Sequence, residues 1–207
     1  AGVNDSLAQR SVAQARECEW ARGVLANASP DFEIISVDSL GVLINSPNSE
    51  FGAQDHKDDL YFTTLRFVET ADFHDPQRQY FQILRAEEDQ AASLFLEIND
   101  DSLHTAHLAF NTTGTRVYYN ICEYASVADI RCDLYYRDYF ANDSLGEPVV
   151  LPAPINLPGY TTTQPHVSFD PKSEREVLYF VSDRPGGKGQ TDIWFAEILS
   201  DSTYGTP

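Results

Sequence analysis

Hydrophobic and aromatic residues recur along the chain in short runs of the kind that form β-strands. An Ile-Asn pair occurs three times, at residues 44–45, 98–99 and 155–156, with spacings of 54 and 57 residues. Each pair is followed by a polar stretch and then by two aromatic and β-branched runs. The first runs are residues 59–62, 116–119 and 177–180, and the second runs are residues 79–84, 133–136 and 192–195. The same order of elements in each unit indicates an internal repeat.

Two further short strands complete each unit. One precedes the aromatic pair, at residues 107–110 and 166–169, and one closes the unit, at residues 94–97 and 149–151. Four short strands in about 50 residues are typical of a β-propeller blade. The predicted fold class is therefore all-β, with four-stranded antiparallel blades at about residues 45–98, 99–155 and 156–207. Closed propellers have roughly 4–8 blades, so we expect these three to form part of a larger ring.

The N-terminal residues follow a different period. Apolar residues between positions 3 and 28 recur with roughly helical spacing, which predicts one helix, from a preceding helical domain. The predicted domains are a helix and linker at residues 1–30 and propeller blades at residues 31–207.

Composition narrows the classes of partner. The net charge is −18, from 14 basic and 32 acidic residues, and such a surface repels nucleic acid and anionic lipid. No apolar run approaches the ~20 residues that a membrane span needs, so direct membrane insertion is not expected. Methionine is absent, and we expect Ala1 to be an internal or processed end.

Two of the three cysteines occupy a predicted hairpin. Cys122 and Cys132 lie ten residues apart in runs rich in tyrosine and isoleucine, and pairing of those runs brings both sulfurs within disulfide reach. A disulfide is favoured over two free thiols and indicates an oxidising compartment. Cys18, in the helical segment, is expected to be a buried apolar residue.

Several segments resemble the TolB-type, WD-like propeller repeat of Bacteroidetes envelope proteins. They are residues 155–156, 164–170, 177–187 and 191–194, with residues 18–21 and 44–52 similar to the junction between helices and propeller. In that family a tetratricopeptide region precedes the propeller, an OmpA-like domain often follows, and some members belong to type IX secretion. The second unit departs from the pattern, with Asn120-Ile121-Cys122 where Ser-Asp-Arg is expected. The resemblance implies a periplasmic, outer-membrane-associated location.

The resemblance also implies roles for particular residues. In this repeat type Asp183, Arg184 and Asp192 hold turns together by local hydrogen bonds. The tripeptide Asp-Ser-Leu occurs four times and looks like the O-glycosylation acceptor pattern of exported Bacteroidetes proteins, although Asp-Ser is also ordinary turn chemistry. The candidate acceptors are Ser6, Ser39, Ser102 and Ser144.

No motif predicts catalysis, a metal or a cofactor. The glycine-rich residues 185–189 lack the Lys-Ser/Thr ending of a phosphate loop and favour a hairpin turn. His166, Ser168 and Asp170 alternate on one strand, which does not build a nucleophile–base–orienter geometry. Residues 55–59 fit no calcium loop and favour a solvated turn.

The predicted function is a non-enzymatic scaffold that holds envelope proteins of an outer-membrane or secretion complex. The first alternative is a propeller that binds carbohydrate or peptidoglycan fragments through aromatic side chains. The second is the propeller domain of a peptidase, as in prolyl oligopeptidases. Fold alone does not decide among these functions.

Overall fold

A computed structural model describes residues 2–27, 39–68, 79–100, 102–126 and 129–207, with the backbone only at residues 2–10 and 68. The predicted boundary between residues 30 and 31 lies outside these ranges, as does the side chain of Ser6. The chain divides into two compact units, Ala1–Ser39 and Leu40–Pro207.

The first unit contains one helix, α1 (Gly2–Ala26). Its described side chains are exposed, among them Trp20 and Leu25. Cys18 is a free, exposed thiol, so the expectation that it is buried was wrong. No helix among the described residues is long and apolar enough to cross a membrane.

The second unit consists of three four-stranded antiparallel sheets in which neighbouring strands follow one another along the chain. Sheet 1 contains β1 (Glu50–His56), β2 (Asp59–Val68), β3 (Gln79–Ala86) and β4 (Ser93–Leu94). Sheet 2 contains β5 (His104–Phe110), β6 (Arg116–Ser126), β7 (Asp129–Asp138) and β8 (Val149–Val150). Sheet 3 contains β9 (Thr162–Asp170), β10 (Arg175–Ser182), β11 (Asp192–Ser200) and β12 (Thr203–Tyr204). The first strands β1, β5 and β9 lie side by side, so the all-β prediction is confirmed and the arrangement is propeller-like.

Paired aromatic residues on the second strand of each sheet build the cores between sheets. Successive residues of a strand point to opposite faces, so two adjacent aromatic side chains serve two different cores. Tyr119 packs with Tyr61 and Ile83 between sheets 1 and 2. Tyr118 packs with Leu178 and other apolar side chains between sheets 2 and 3. In sheet 2 the aromatic doublet therefore joins the sheet to both of its neighbours.

The repeated Ile-Asn pairs join consecutive sheets through the asparagine amide. Asn99 Oδ1 accepts the backbone N–H of Ile83 at 2.8 Å, and its Nδ2 donates to Ile83 O at 2.8 Å. Asn156 bonds Leu134 N and Leu134 O in the same way, both at 2.9 Å. In each case one side chain from the start of the next unit accepts the backbone N–H of a buried strand residue and donates to its carbonyl oxygen, which also accepts the backbone N–H of Phe95 or Leu151. We refer to this arrangement as the asparagine clamp.

The predicted disulfide forms in sheet 2. Cys122 on β6 lies directly opposite Cys132 on β7, and the two sulfurs are bonded. It therefore ties together the distal half of this long hairpin, where sheet 2 departs from the repeat pattern.

Candidate functional site

Each of the three first strands contains a β-bulge at the same place. The pairing with the second strand shifts between Phe51 and Gln54, between Ala106 and Ala109, and opposite Tyr179 and Val181. A bulge bends a strand and redirects its side chains, and bulges are frequent near functional sites. These shifts fall seven or eight residues after the asparagine of each Ile-Asn pair.

One residue at each bulge has left-handed backbone geometry. The φ angles are +65° at Gly52, +50° at His107 and +52° at Gln164. Glycine adopts this conformation freely, but histidine and glutamine do so at a cost. Such strain persists where surrounding contacts enforce it, and it is concentrated at ligand-binding positions.

The three bulges surround one cavity of about 330 Å³. Its polar side chains are Gln54, His107, Gln164 and His166. Its apolar and backbone lining comes from Phe51, Gly52, Leu108 and Pro165. No residue in this lining carries a carboxylate, lysine or arginine side chain, in a chain with a net charge of −18.

His107 is held by contacts with sheet 1. Its backbone N–H donates to Thr63 Oγ1 at 2.9 Å, and its ring lies 4.8 Å from the ring of Phe51. A side chain at Gly52 would come within 3.2 Å of His107 Nδ1, so glycine leaves room for the imidazole. Burial lowers the pKa of His107 from 6.5 to about 4. The imidazole is therefore neutral at pH 7, with one nitrogen that donates and one that accepts a hydrogen bond.

A buried hydrogen bond stabilises the bulge of β9, as the hydrogen bond of His107 stabilises the bulge of β5. Thr163 Oγ1 donates to Asn120 Oδ1 at 2.9 Å, one residue before the left-handed Gln164. Asn120 is completely buried on β6 and also donates to Cys122 Sγ at 3.1 Å. The disulfide of sheet 2 is thus connected to the cavity through Asn120 and Thr163.

The depressed pKa of His107 predicts a specific pH dependence of stability. Between about pH 6.5 and pH 4 the unfolded chain binds a proton at this residue that the folded chain does not, so folded stability falls as the pH drops through this interval. A His107→Asn variant lacks this titration, and asparagine tolerates left-handed geometry. Urea unfolding of both proteins from pH 4 to pH 7 should show a difference in unfolding free energy that changes with pH; parallel profiles would show that His107 does not titrate as described.

The turn residues predicted from the repeat lie away from the cavity. Asp183 Oδ1 accepts Thr161 N–H at 2.7 Å, and Asp192 Oδ2 accepts Lys188 N–H at 2.8 Å. Arg184 is buried and donates to the backbone oxygens of Pro154 and Ile155, which belong to the connection between sheets 2 and 3.

The predicted acceptor serines also lie away from the cavity. Ser102 and Ser144 are exposed, and their hydroxyls bond Asp100 at 2.9 Å and Asn142 at 2.8 Å. Ser39 is exposed, and Ser6 lies on α1. Their glycosylation stays a prediction.

Sequence reasoning considered His166 only as part of a triad and missed the other polar residues of the cavity. The signal that could have found them is their position, within a few residues of one another in each unit, after the asparagine of an Ile-Asn pair. Lys57 and Asp58 form the exposed turn between β1 and β2 that was predicted for residues 55–59, but this segment also contacts sheet 2. His56 stacks on Phe110 with ring centroids 3.8 Å apart, and Lys57 forms a 2.9 Å ion pair with Asp143, so the segment connects sheets 1 and 2.

No family model matches the chain, and no curated protein matches it. Three solved structures are similar to it. An endo-arabinase from Bacteroides thetaiotaomicron VPI-5482 is 15% identical with a TM-score of 0.44, over 70% of this chain and 54% of that chain. A glycoside hydrolase is 12% identical with a TM-score of 0.42, over 74% and 50% of the two chains. A thermostable family-43 glycoside hydrolase is 12% identical with a TM-score of 0.42, over 77% and 51%.

These matches contradict part of the sequence analysis. None is a TolB-type envelope protein, so the predicted family is corrected, together with the OmpA-like, tetratricopeptide and type IX secretion associations that it implied. The same structures are enzymes, which contradicts the predictions of a non-enzymatic scaffold and of envelope proteins as partners. The periplasmic location stays a prediction. The chain spans about half the length of these structures, and with TM-scores below 0.5 their activities are not carried over to it.

Proposed function

We propose that the second unit binds a neutral saccharide in the cavity formed by the three first-strand bulges. The observation that carries this proposal is the convergence of two glutamines and two histidines from β1, β5 and β9 on one cavity with no charged side chain in its lining. Each sugar hydroxyl both donates and accepts a hydrogen bond. Glutamine amides and the neutral imidazole of His107 offer both functions, so they are well matched to a polyhydroxyl ligand.

The size and apolar lining of the cavity support the same class of ligand. A volume of about 330 Å³ lies at the lower end of the range for small-molecule sites, which corresponds to one or two sugar rings. Phe51, Leu108 and Pro165 offer apolar surface for the C–H face of a sugar ring, while the polar groups fix its orientation. The lining has no lysine or arginine that could bind a phosphorylated or other strongly anionic ligand. The acidic surface of the chain would also repel such a ligand.

The bulges also provide preorganisation. The hydrogen bonds that His107 N–H donates to Thr63 Oγ1 and that Thr163 Oγ1 donates to Asn120 Oδ1 fix the backbone on both sides of the cavity before any ligand binds. A site whose backbone is already fixed loses less conformational entropy on binding. Weak hydrogen bonds to sugar hydroxyls can therefore give measurable affinity.

The test is binding of the whole chain to a panel of neutral and anionic oligosaccharides, followed by titration calorimetry of those that bind. A Gln164→Asn variant keeps a residue that tolerates left-handed geometry but shortens the amide, and it should weaken binding about tenfold, the effect of one lost hydrogen bond. Gln54→Ala should act in the same direction. The matched control is Gln90→Ala, an exposed glutamine away from the cavity lining, which should leave affinity unchanged.

Two results would contradict the proposal. One is that no neutral saccharide binds with a dissociation constant below about 10 mM. The other is that Gln90→Ala weakens binding as much as Gln164→Asn, which would place the ligand elsewhere.

A further inference from the structure

The hairpin of β6 and β7 extends beyond the rest of sheet 2. The inner neighbour β5 begins opposite Cys122, and the outer neighbour β8 pairs only with residues 135–136. The pairs farther along, between residues 123–126 and residues 129–131, therefore form a ribbon of two strands, with no third strand on either side in the described part of the chain. We call these residues the distal hairpin.

The disulfide closes the base of the distal hairpin. A ribbon of only two strands is marginally stable in water. Cys122 and Cys132 pair across the hairpin at the point where the third strand ends, and they are 4% and 7% exposed. The covalent bond therefore holds the two strands together where the rest of the sheet no longer supports them.

Hydrogen bonds join the distal hairpin to the segment that leads into β9. Arg131 Nη1 donates to Gly159 O at 2.6 Å, and Thr161 Oγ1 donates to Ile130 O at 3.4 Å. Arg131 Nη1 also lies 3.4 Å from Asp183 Oδ2, in the loop after β10. The distal hairpin therefore connects sheet 2 to the residues that precede the first strand of sheet 3.

These contacts support the wall of the cavity that contains Gln164. Residues 159, 161 and 163 each bond to sheet 2, the last through the hydroxyl of Thr163 described above. Gln164 follows with a φ of +52°, and the pairing of β9 with β10 is interrupted between Thr163 and His166. A strained residue keeps its geometry only where surrounding contacts enforce it. Because the ladder of sheet 3 skips Gln164, the contacts from sheet 2 help to enforce its geometry.

The same contacts determine how far apart two walls of the cavity lie. His107 belongs to sheet 2 and Gln164 to sheet 3, so the distance between their side chains depends on how these sheets are held together beside the cavity. Hydrogen bonds keep their strength over a range of only about 0.5 Å in length. A saccharide that is bonded by both walls is therefore sensitive to small movements of the segment before Gln164.

We propose that Arg131 and the Cys122–Cys132 disulfide position Gln164 for saccharide binding. The inference rests on the saccharide site proposed above, and neither Arg131 nor the disulfide lines the cavity itself. Arg131 acts through Gly159, and the disulfide acts by anchoring the hairpin that contains Arg131. The disulfide-bonded chain is then the form with the higher affinity, and loss of either restraint lowers affinity while the fold persists.

Titration calorimetry of the whole chain with maltose, cellobiose and xylobiose tests the proposal, because neutral disaccharides match the volume of the cavity. Arg131→Met should weaken binding of the tightest of the three about fivefold, since the restraint on the segment before Gln164 is lost. The matched control is Arg137→Met. Arg137 lies on the same strand and also donates to a carbonyl oxygen, Gly146 O at 3.3 Å, but that bond stays within sheet 2, so its loss should leave affinity unchanged.

A double-mutant cycle distinguishes positioning from a general loss of structure. If Arg131 acts through Gln164, Arg131→Met should weaken binding by less than about twofold in a Gln164→Asn background. Arg131→Lys keeps a donor for Gly159 O and should restore part of the affinity. Additive effects of Arg131→Met and Gln164→Asn overturn the proposal.

The disulfide is tested with a Cys122→Ala/Cys132→Ala variant in a Cys18→Ser background, which removes the exposed free thiol. We expect the affinity for the same disaccharide to fall about fivefold, because the distal hairpin is no longer anchored at its base. Circular dichroism should show that the variant is folded.

A second pair of variants tests the same connection without touching the disulfide. Thr163→Val removes the hydroxyl bond to Asn120 and should also weaken binding. Its matched control is Thr112→Val, which removes a hydroxyl bond from sheet 2 to Glu176 of sheet 3 away from the cavity lining and should leave affinity unchanged.

The outcomes separate this proposal from that of the saccharide site. A wild-type chain that binds none of the disaccharides contradicts both. Binding that falls with Gln164→Asn, but not with Arg131→Met or with loss of the disulfide, leaves the site in place and overturns the positioning role.

Discussion

Replacing Phe180 with alanine is expected to lower the free energy of unfolding by about 4 kcal/mol. Phe180 on β10 is 1% exposed and lies in the core between sheets 2 and 3. The guanidinium of Arg184 lies 4.6 Å from the centre of its ring, and Arg184 in turn donates to the backbone connection between the two sheets. The substitution therefore opens a cavity and removes the support for a buried cation.

Urea unfolding followed by circular dichroism measures this effect. The matched control is Phe169→Ala, the same change at an exposed position of sheet 3, for which we expect a loss of less than about 1 kcal/mol. Similar losses at the two positions would mean that the core between sheets 2 and 3 does not hold the unit together as described.

An Asn156→Ala substitution is expected to lower the free energy of unfolding by about 3 kcal/mol, because it leaves the buried backbone N–H of Leu134 without an acceptor. Asn156 also donates to Leu134 O and Leu151 O, both at 2.9 Å. Leu134 and Leu151 are almost completely buried, so water cannot replace these bonds without opening the junction between sheets 2 and 3.

Two further variants separate the clamp from general effects of losing an asparagine. Asn142→Ala removes an exposed asparagine whose bond is to Ser144, and it should change stability by less than about 0.5 kcal/mol. Asn156→Asp keeps the acceptor for Leu134 N–H but turns a second oxygen toward two carbonyl oxygens, so it should also destabilise the fold at neutral pH. If Asn156→Asp is as stable as the wild type, the donated bonds of the clamp contribute nothing.

The asparagine clamp and the aromatic doublets explain why the same residues recur in each unit of the sequence. In sheet 2 the doublet places one ring in each of two cores, and the clamp connects the start of one sheet to the third strand of the sheet before it. The residues of the clamp and of the doublets lie close in sequence to the strands that they connect. They therefore recur at nearly constant spacing. The proposed saccharide site differs, because it depends on residues from three strands that begin more than 50 residues apart and line one cavity.

The strands, the repeat and the hairpin disulfide could all be predicted from the order of residues along the chain. Alternating aromatic and β-branched residues dictate extended structure locally, and Cys122 and Cys132 face each other once the turn between them closes. The class of protein could not be predicted in this way. Short motifs such as residues 177–187 occur wherever a four-stranded sheet needs these strand and turn residues, so they do not identify a family. Fold-level similarity carries little information about function for the same reason.

Which residues form a site depends on how the sheets pack against one another. His107 and Gln164 resemble ordinary strand residues until the bulges turn them, with Gln54 and His166, toward a common cavity. Tyr118 and Leu134 have the sequence pattern of ordinary strand residues, and they are buried because sheet 3 packs against them. Burial and convergence depend on contacts between distant parts of the chain, whereas periodicity depends on neighbours, and this is why the elements could be predicted and the site could not.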